Sequence, residues 1–261
     1  MHRVSRIITV LLFFLPGVVA IPASAQDFTV AAAADLQFAM QDIASRFEKQ
    51  TGKSVKVIYG SSGNFAQQLQ NGAPFDMFFS ANLDYPKQLE GAGLTEPGTL
   101  YQYAKGKIVI WVPKQSALDL SGGLKALLNP AVKKIAIANP AHAPYGKAAV
   151  AAMQKENVYD QVKDKLVLGE NISQAASFVV SGAADAGIVA YSLALSPTMK
   201  DNGRYAAIPA DDYPAIEQAC VIMKSSKNKP LARQFLAFIQ SGAVGDTLKS
   251  YGFDMPGAGK N

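Results

Sequence analysis

Short apolar runs alternate with amphipathic stretches along most of the chain. Phe28 to Ala33 is small and apolar at nearly every position, as in a strand buried on both faces. Leu36, Met40, Ile43, Ala44 and Phe47 then recur at helical spacing, and Thr51-Gly52 ends the run. Val55 to Tyr59 predicts a second strand, Phe65, Ala66 and Leu69 a helix, Met77 to Ser80 a third strand and Tyr85 to Ala92 a third helix. The alternation then begins again. Strands are predicted at Ile108 to Val112, Ile135 to Ala138, Leu166 to Leu168, Gly187 to Ala190, Ala206 to Ile208 and Cys220 to Met223. Helical patterns fall at Leu124 to Leu128, Gly146 to Glu156, Ser173 to Ser181, Leu231 to Ile239 and Val244 to Lys249. Such βαβ alternation predicts an α/β protein whose sheets are mostly parallel and covered by helices on both faces. Two units predict two lobes, 26–106 with 220–261 and 107–219, joined by extended crossings near Tyr103 to Val112 and Pro214 to Val221.

Four apolar runs end in turns that lead into helical stretches: Ala33-Ala34-Asp35, Gly60-Ser61-Ser62-Gly63, Ala143-Pro144-Tyr145-Gly146 and Gly169-Glu170-Asn171-Ile172-Ser173. The first turn of a helix has backbone N–H groups without helical partners, and its dipole places partial positive charge there. Several such ends pointed at one cleft would hold an anion without a metal or cofactor. Ligands of open α/β sheets bind beyond the carboxyl ends of the strands, where these turns lie.

The first residues have the pattern of an export signal. Arg3 and Arg6 precede the apolar run Ile7 to Ala20, and Ala23-Ser24-Ala25 is a small-residue cleavage site, so the mature chain is expected to begin at Gln26. A membrane anchor fits less well, because Pro16 and Gly17 interrupt a run already short for a span. Without Arg3 and Arg6 the chain carries 23 basic against 20 acidic residues. The basic residues are scattered, with Lys133-Lys134 the only adjacent pair, so neither charge nor its distribution calls for nucleic acid. Cys220 is the only cysteine, which excludes an intramolecular disulfide, and its apolar surroundings predict a buried thiol.

Catalytic chemistry finds few candidates. His142 is the one histidine of the mature chain, and in its Pro140 to Pro144 setting it reads as a loop-packing residue. Gly60-Ser61-Ser62-Gly63 lacks the spacing of a nucleophile elbow and the lysine of a Walker loop, and no G-x-G-x-x-G follows the first strand. Asp211-Asp212 could ligate a hard cation but more often marks a solvated turn. What remains is a non-enzymatic binding site for a small dehydrated oxyanion, built from hydroxyls and N–H groups.

Those turns resemble a known family, the periplasmic molybdate-binding proteins of ABC importers, with the type II solute-binding fold. The resemblance is carried by Ala31 to Leu36, Gly60 to Gly63, Asn71 to Asp76 leading into Phe78 to Ala81, Ala138 to Pro140, Ala143 to Gly146, Gly169 to Gln174, Ala184 to Val189 and Tyr251 to Phe253. It implies a monomeric receptor that binds molybdate or tungstate, needs no cofactor, and delivers its ligand to an inner-membrane permease. It also implies that Ser62 gives a hydroxyl and N–H, Tyr145 a backbone N–H and Ile172 another, with Ser61 and Asn171 shaping the turns. Two positions depart from the family pattern. Ala190 stands where some members have a tyrosine, with Tyr191 one residue on and expected on the other side of the strand. Asp35 stands where members carry serine or asparagine. A carboxylate about 4 Å from one negative charge costs roughly 4 kcal/mol at an effective dielectric near 20. The expectation is that Asp35 turns away and caps its own helix, leaving its N–H in the site; a protonated Asp35 or a different oxyanion, such as sulfate, phosphate or a small organic anion, are the alternatives. A secreted hydrolase on Ser62 and His142 is the rival from another class.

Overall fold

The computed structural model describes residues 27–257. The signal and its cleavage after Ala25 lie outside the described residues.

The apolar runs become two five-stranded sheets. The first contains β1 (Thr29–Ala33), β2 (Lys56–Gly60), β3 (Met77–Ser80), β4 (Tyr101–Gly106) and, from late in the chain, β10 (Ile216–Ile222), in the order β2-β1-β3-β10-β4. The second contains β5 (Ile108–Pro113), β6 (Ile135–Ala138), β7 (Leu166–Gly169), β8 (Ala186–Ala190) and β9 (Gly203–Ala207), in the order β7-β6-β8-β5-β9. The two orders follow the same plan. In each sheet one strand pairs in parallel with two neighbours, β1 with β2 and β3, β6 with β7 and β8.

The other pairings depart from the mostly parallel expectation. β10 is antiparallel to β3 and β4, and β5 is antiparallel to β8 and β9, so both sheets are mixed. The cause is the chain's route between lobes. β4 leads through Lys107 directly into β5, and β10 brings the chain back to the first sheet.

Around the first sheet lie α1 (Gln37–Thr51), α2 (Ser62–Gln70), α3 (Asp84–Gly91), α9 (Lys229–Ile239) and α10 (Gly242–Ser250). Around the second lie α4 (Pro144–Lys155), α5 (Tyr159–Val162), α6 (Ile172–Val180), α7 (Tyr191–Ala194) and α8 (Pro197–Lys200). Leu124 to Leu128 forms a 3-10 turn within Gly123–Leu128 rather than an α-helix. Period-2 alternation sorts the first lobe's core. Val30, Ala32, Met77, Phe79, Cys220 and Ile222 face α1, α9 and α10, while Ala31, Phe78 and Val221 face Phe65, Leu69 and Leu89 of α2 and α3. Phe235 anchors the first layer, with ring centroids 5.0 Å from Phe47, 5.8 Å from Phe28 and 6.1 Å from Phe79. The Cys220 thiol is buried there, and desolvation holds it protonated.

Candidate functional site

Four strands, β1, β2, β6 and β7, each end in a small residue, Ala33, Gly60, Ala138 and Gly169, and the chain then turns into a helix. Ala34 to Leu36 forms one 3-10 turn continuous with α1, Ser62 opens α2, Pro144 opens α4 and Ile172 opens α6. Local sequence explains each start. Ser61, Ala143 and Asn171 hold extended backbone at the N-cap position, Pro144 takes the first-turn place where a missing N–H costs nothing, and the Asn171 side chain accepts from Ser173 N and Gln174 N.

The four starts meet. Ala33, Ala34, Asp35, Gly60, Ser61, Ser62, Ala81, Ala143, Pro144, Tyr145, Asn171 and Ile172 enclose one cavity of about 10 Å³ between the lobes. That is room for about one water, so the lobes are closed on one another and an anion can reach the site only when they part. Cross-lobe hydrogen bonds maintain closure: Ser61 Oγ to His142 O at 2.7 Å, Gly63 N to the same carbonyl at 3.0 Å, Ser173 Oγ to Gln37 Oε1 at 2.8 Å and Ser192 Oγ to Asp35 O at 2.8 Å. Asn64 Nδ2 also donates to Glu170 Oε1. Since Ser61 gives its proton to the carbonyl, the His142 Nδ1 at 2.9 Å donates to Ser61 Oγ. His142 is thereby part of a loop contact.

Ser62 is oriented by its neighbour. The Ala81 N–H donates to Ser62 Oγ at 2.9 Å, which fills an acceptor site and leaves the hydroxyl proton to be donated elsewhere. Tyr145 lines the site in the first turn of α4, and its phenol reaches Asp35 and Gln218. Gly146 permits this: a Cβ there would lie 2.1 Å from Ala138 O. Gly106 does the same for the ring, since a Cβ would lie 2.2 Å from the Tyr145 hydroxyl.

Asp35 does not cap its helix. The 3-10 turn has no side-chain cap, and Asp35 Oδ2 instead accepts from Tyr145 Oη at 2.9 Å and Gln218 Nε2 at 2.7 Å. Gln218 Oε1 accepts in turn from Tyr103 Oη at 2.8 Å. The carboxyl is 1% exposed, and burial raises it to about 6 against the lowering effect of the Gln218, Tyr145 and own-backbone hydrogen bonds. A cap must point along its own helix, and here stronger partners from the other lobe and from β10 take the carboxylate away.

The chain from residue 28 to 254 matches the family model for bacterial extracellular solute-binding proteins. It belongs to that family. The molybdate-binding protein ModA of Azotobacter vinelandii is 38% identical over 239 residues, covering 92% of this chain and 94% of the relative. ModA of Rhodobacter capsulatus is 36% identical over 234 residues, 90% of each chain. The solved periplasmic molybdate-binding protein of Azotobacter vinelandii superposes with a TM-score of 0.83 at 34% identity, covering 88% of this chain and all of that one. These relatives are binding proteins.

Within this solute-binding chain, Asp35, Ser61, Ser62, Tyr145, Asn171 and Ile172 come together at the cavity, and Tyr191 does not. The Tyr191 hydroxyl lies 3.2 Å from that of Tyr205, its ring stacks near Lys107 with Nζ 5.6 Å from the centroid, and Gly252 packs beneath it. The turn from β8 into α7 sends Ser192 inward in its place. Gln218, Tyr103 and Ser192 were not singled out from sequence. A glutamine inside Ile216 to Ile222, a strand otherwise mostly apolar, was the signal that could have marked the first. Asp211 and Asp212 meet Lys155, whose Nζ reaches Asp211 O at 2.6 Å and Asp212 Oδ1 at 3.3 Å.

Proposed function

We propose that this chain is the periplasmic receptor of an ABC importer, exported by a signal cleaved after Ala25, and that it carries molybdate or tungstate to an inner-membrane permease. One observation carries the reading: helix starts from both lobes converge on one cavity lined by the first-turn residues Ser62, Tyr145 and Ile172. The names and close identity of the relatives support molybdate as the ligand. Ser62 gives its hydroxyl and N–H, and Asp35, Tyr145 and Ile172 give backbone N–H groups. Ser61 and Asn171 shape the turns. Neutral donors do not distinguish dianions of one shape, so rejection of sulfate falls to cavity size.

The reading divides the chain into lobes 26–106 with 220–261 and 107–219, which part by a hinge motion where β4 meets β5 and where β9 leads to β10. The receptor acts as a monomer, without cofactor or catalytic step. A thermal-shift panel tests it. Molybdate at 100 times its dissociation constant stabilises the mature protein by about 2.7 kcal/mol, while no response to molybdate or tungstate beside a clear response to sulfate or phosphate refutes this ligand.

A further inference from the structure

We propose that the oxyanion enters this site together with one proton, which the Asp35 carboxyl and the bound anion share. The inference rests on the oxyanion reading of the cavity. Asp35 lines the cavity with Ser62, Tyr145 and Ile172 and is 1% exposed. Its Oδ2 accepts from two neutral donors, Tyr145 Oη and Gln218 Nε2, and its Oδ1 is buried and accepts no hydrogen bond from another residue. Among the described residues, no lysine, arginine or histidine forms a hydrogen bond or ion pair with it. Two negative groups would therefore meet in a dry space with nothing to offset them, and a charge pair in that setting neutralises itself by protonation.

The surroundings identify where the proton resides. From α4 the Tyr145 phenol faces Asp35, from β4 the Tyr103 phenol faces it through Gln218, and Cys220 on β10 lies beside Tyr103; α7 offers only Ser192, which bonds the Asp35 backbone carbonyl. Burial holds Tyr145, Tyr103 and Cys220 far above neutrality, so none gives up a proton to the pair. The proton comes from solvent as the lobes close. In the complex it lies between Oδ1 and an anion oxygen: either a neutral carboxylic acid donates to the dianion, or a protonated anion donates to the carboxylate. Both descriptions balance as one dianion, one carboxylate and one proton taken up. Burial, against the lowering effect of its hydrogen bonds, already brings the carboxyl to about 6, and a dianion beside it raises it further.

Titration calorimetry of the mature protein with sodium molybdate, and again with tungstate, tests this. It is run between pH 6.5 and 8.5, where the free oxyanions remain dianions, in buffers of different ionisation enthalpy. The dependence of heat on buffer is expected to give about one proton taken up per anion, and affinity to weaken about tenfold per pH unit by linkage. Asp35→Asn is expected to bind with no proton uptake and a flat pH profile. Saturable binding by the natural protein with no proton uptake overturns the coupling and leaves the receptor reading standing, and does so even if Asp35→Asn does not fold. An unchanged slope in Asp35→Asn overturns it equally. No binding of either oxyanion at any pH overturns the receptor reading and the coupling with it.

Discussion

Ser62→Ala is expected to bind molybdate about 10- to 150-fold more weakly than the natural protein while keeping its fold. The serine opens α2, and its hydroxyl has one acceptor position filled by the Ala81 N–H at 2.9 Å. Its proton is therefore free to be donated to an anion in a cavity that Ser62 lines together with Asp35, Tyr145 and Ile172. A hydrogen bond to a charged group contributes roughly 1.5–3 kcal/mol, which gives the stated range at about 1.4 kcal/mol per factor of ten. The substitution has a second effect with a different readout. Removing Oγ leaves the buried Ala81 N–H without its acceptor, at a cost of roughly 1–3 kcal/mol. That cost appears in the melting temperature of the ligand-free protein, and the affinity loss appears in calorimetric titration. A variant that melts early but binds as before would show that Ser62 holds the β3 turn and does not touch the anion.

Gly146→Ala is expected to lose about 2–3 kcal/mol of stability, or roughly 5–10 °C in melting temperature for a chain of this size. Helix propensity alone predicts the opposite, since alanine in a helix is favoured over glycine by about 1 kcal/mol. Packing decides the sign. The added Cβ would lie 2.1 Å from Ala138 O, 2.8 Å from Ala138 C and 2.9 Å from Pro140 N, all backbone atoms that no rotamer change can move. The first turn of α4 must shift off β6, and it carries the Tyr145 N–H with it. Molybdate affinity is expected to fall by about one to two powers of ten, the value of one hydrogen bond to a charged ligand. Thermal melting and titration of the same variant check both parts. Unchanged melting would mean that α4 does not depend on this close approach.

The local parts of this architecture are legible in the sequence because local physics makes them. Small apolar strands followed by Ser62, Pro144-Tyr145 or Asn171-Ile172 announce a strand, a turn and a helix start, and these residues meet at one cavity. Strand direction is not legible in the same way. The apolar pattern of β10 or β5 is the same whether it pairs parallel or antiparallel, and only the route between lobes makes these strands run backwards. Half-exposed β9, with Arg204 and Tyr205 facing solvent, is longer than its apolar residues suggest. The setting of Asp35 was least visible. Its partners Tyr145 and Gln218 are 110 and 183 positions away, and no spacing rule reaches that far. An aspartate before a helix looks like a cap until the closed lobes supply better donors. Tyr191 and Ser192 show the same limit over one residue, because the β8 to α7 turn decides which of the two side chains goes inward.

The most direct test of the convergent helix starts is a crystal structure of the mature protein grown with molybdate. One tetrahedral anion is expected between the lobes, with Ser62 Oγ and the N–H groups of Ser62, Tyr145 and Ile172 about 2.7–3.2 Å from its oxygens and Asp35 still held by Tyr145 and Gln218. A cleft empty at saturating molybdate, or an anion bound away from Ser62, Tyr145 and Ile172, would contradict the account.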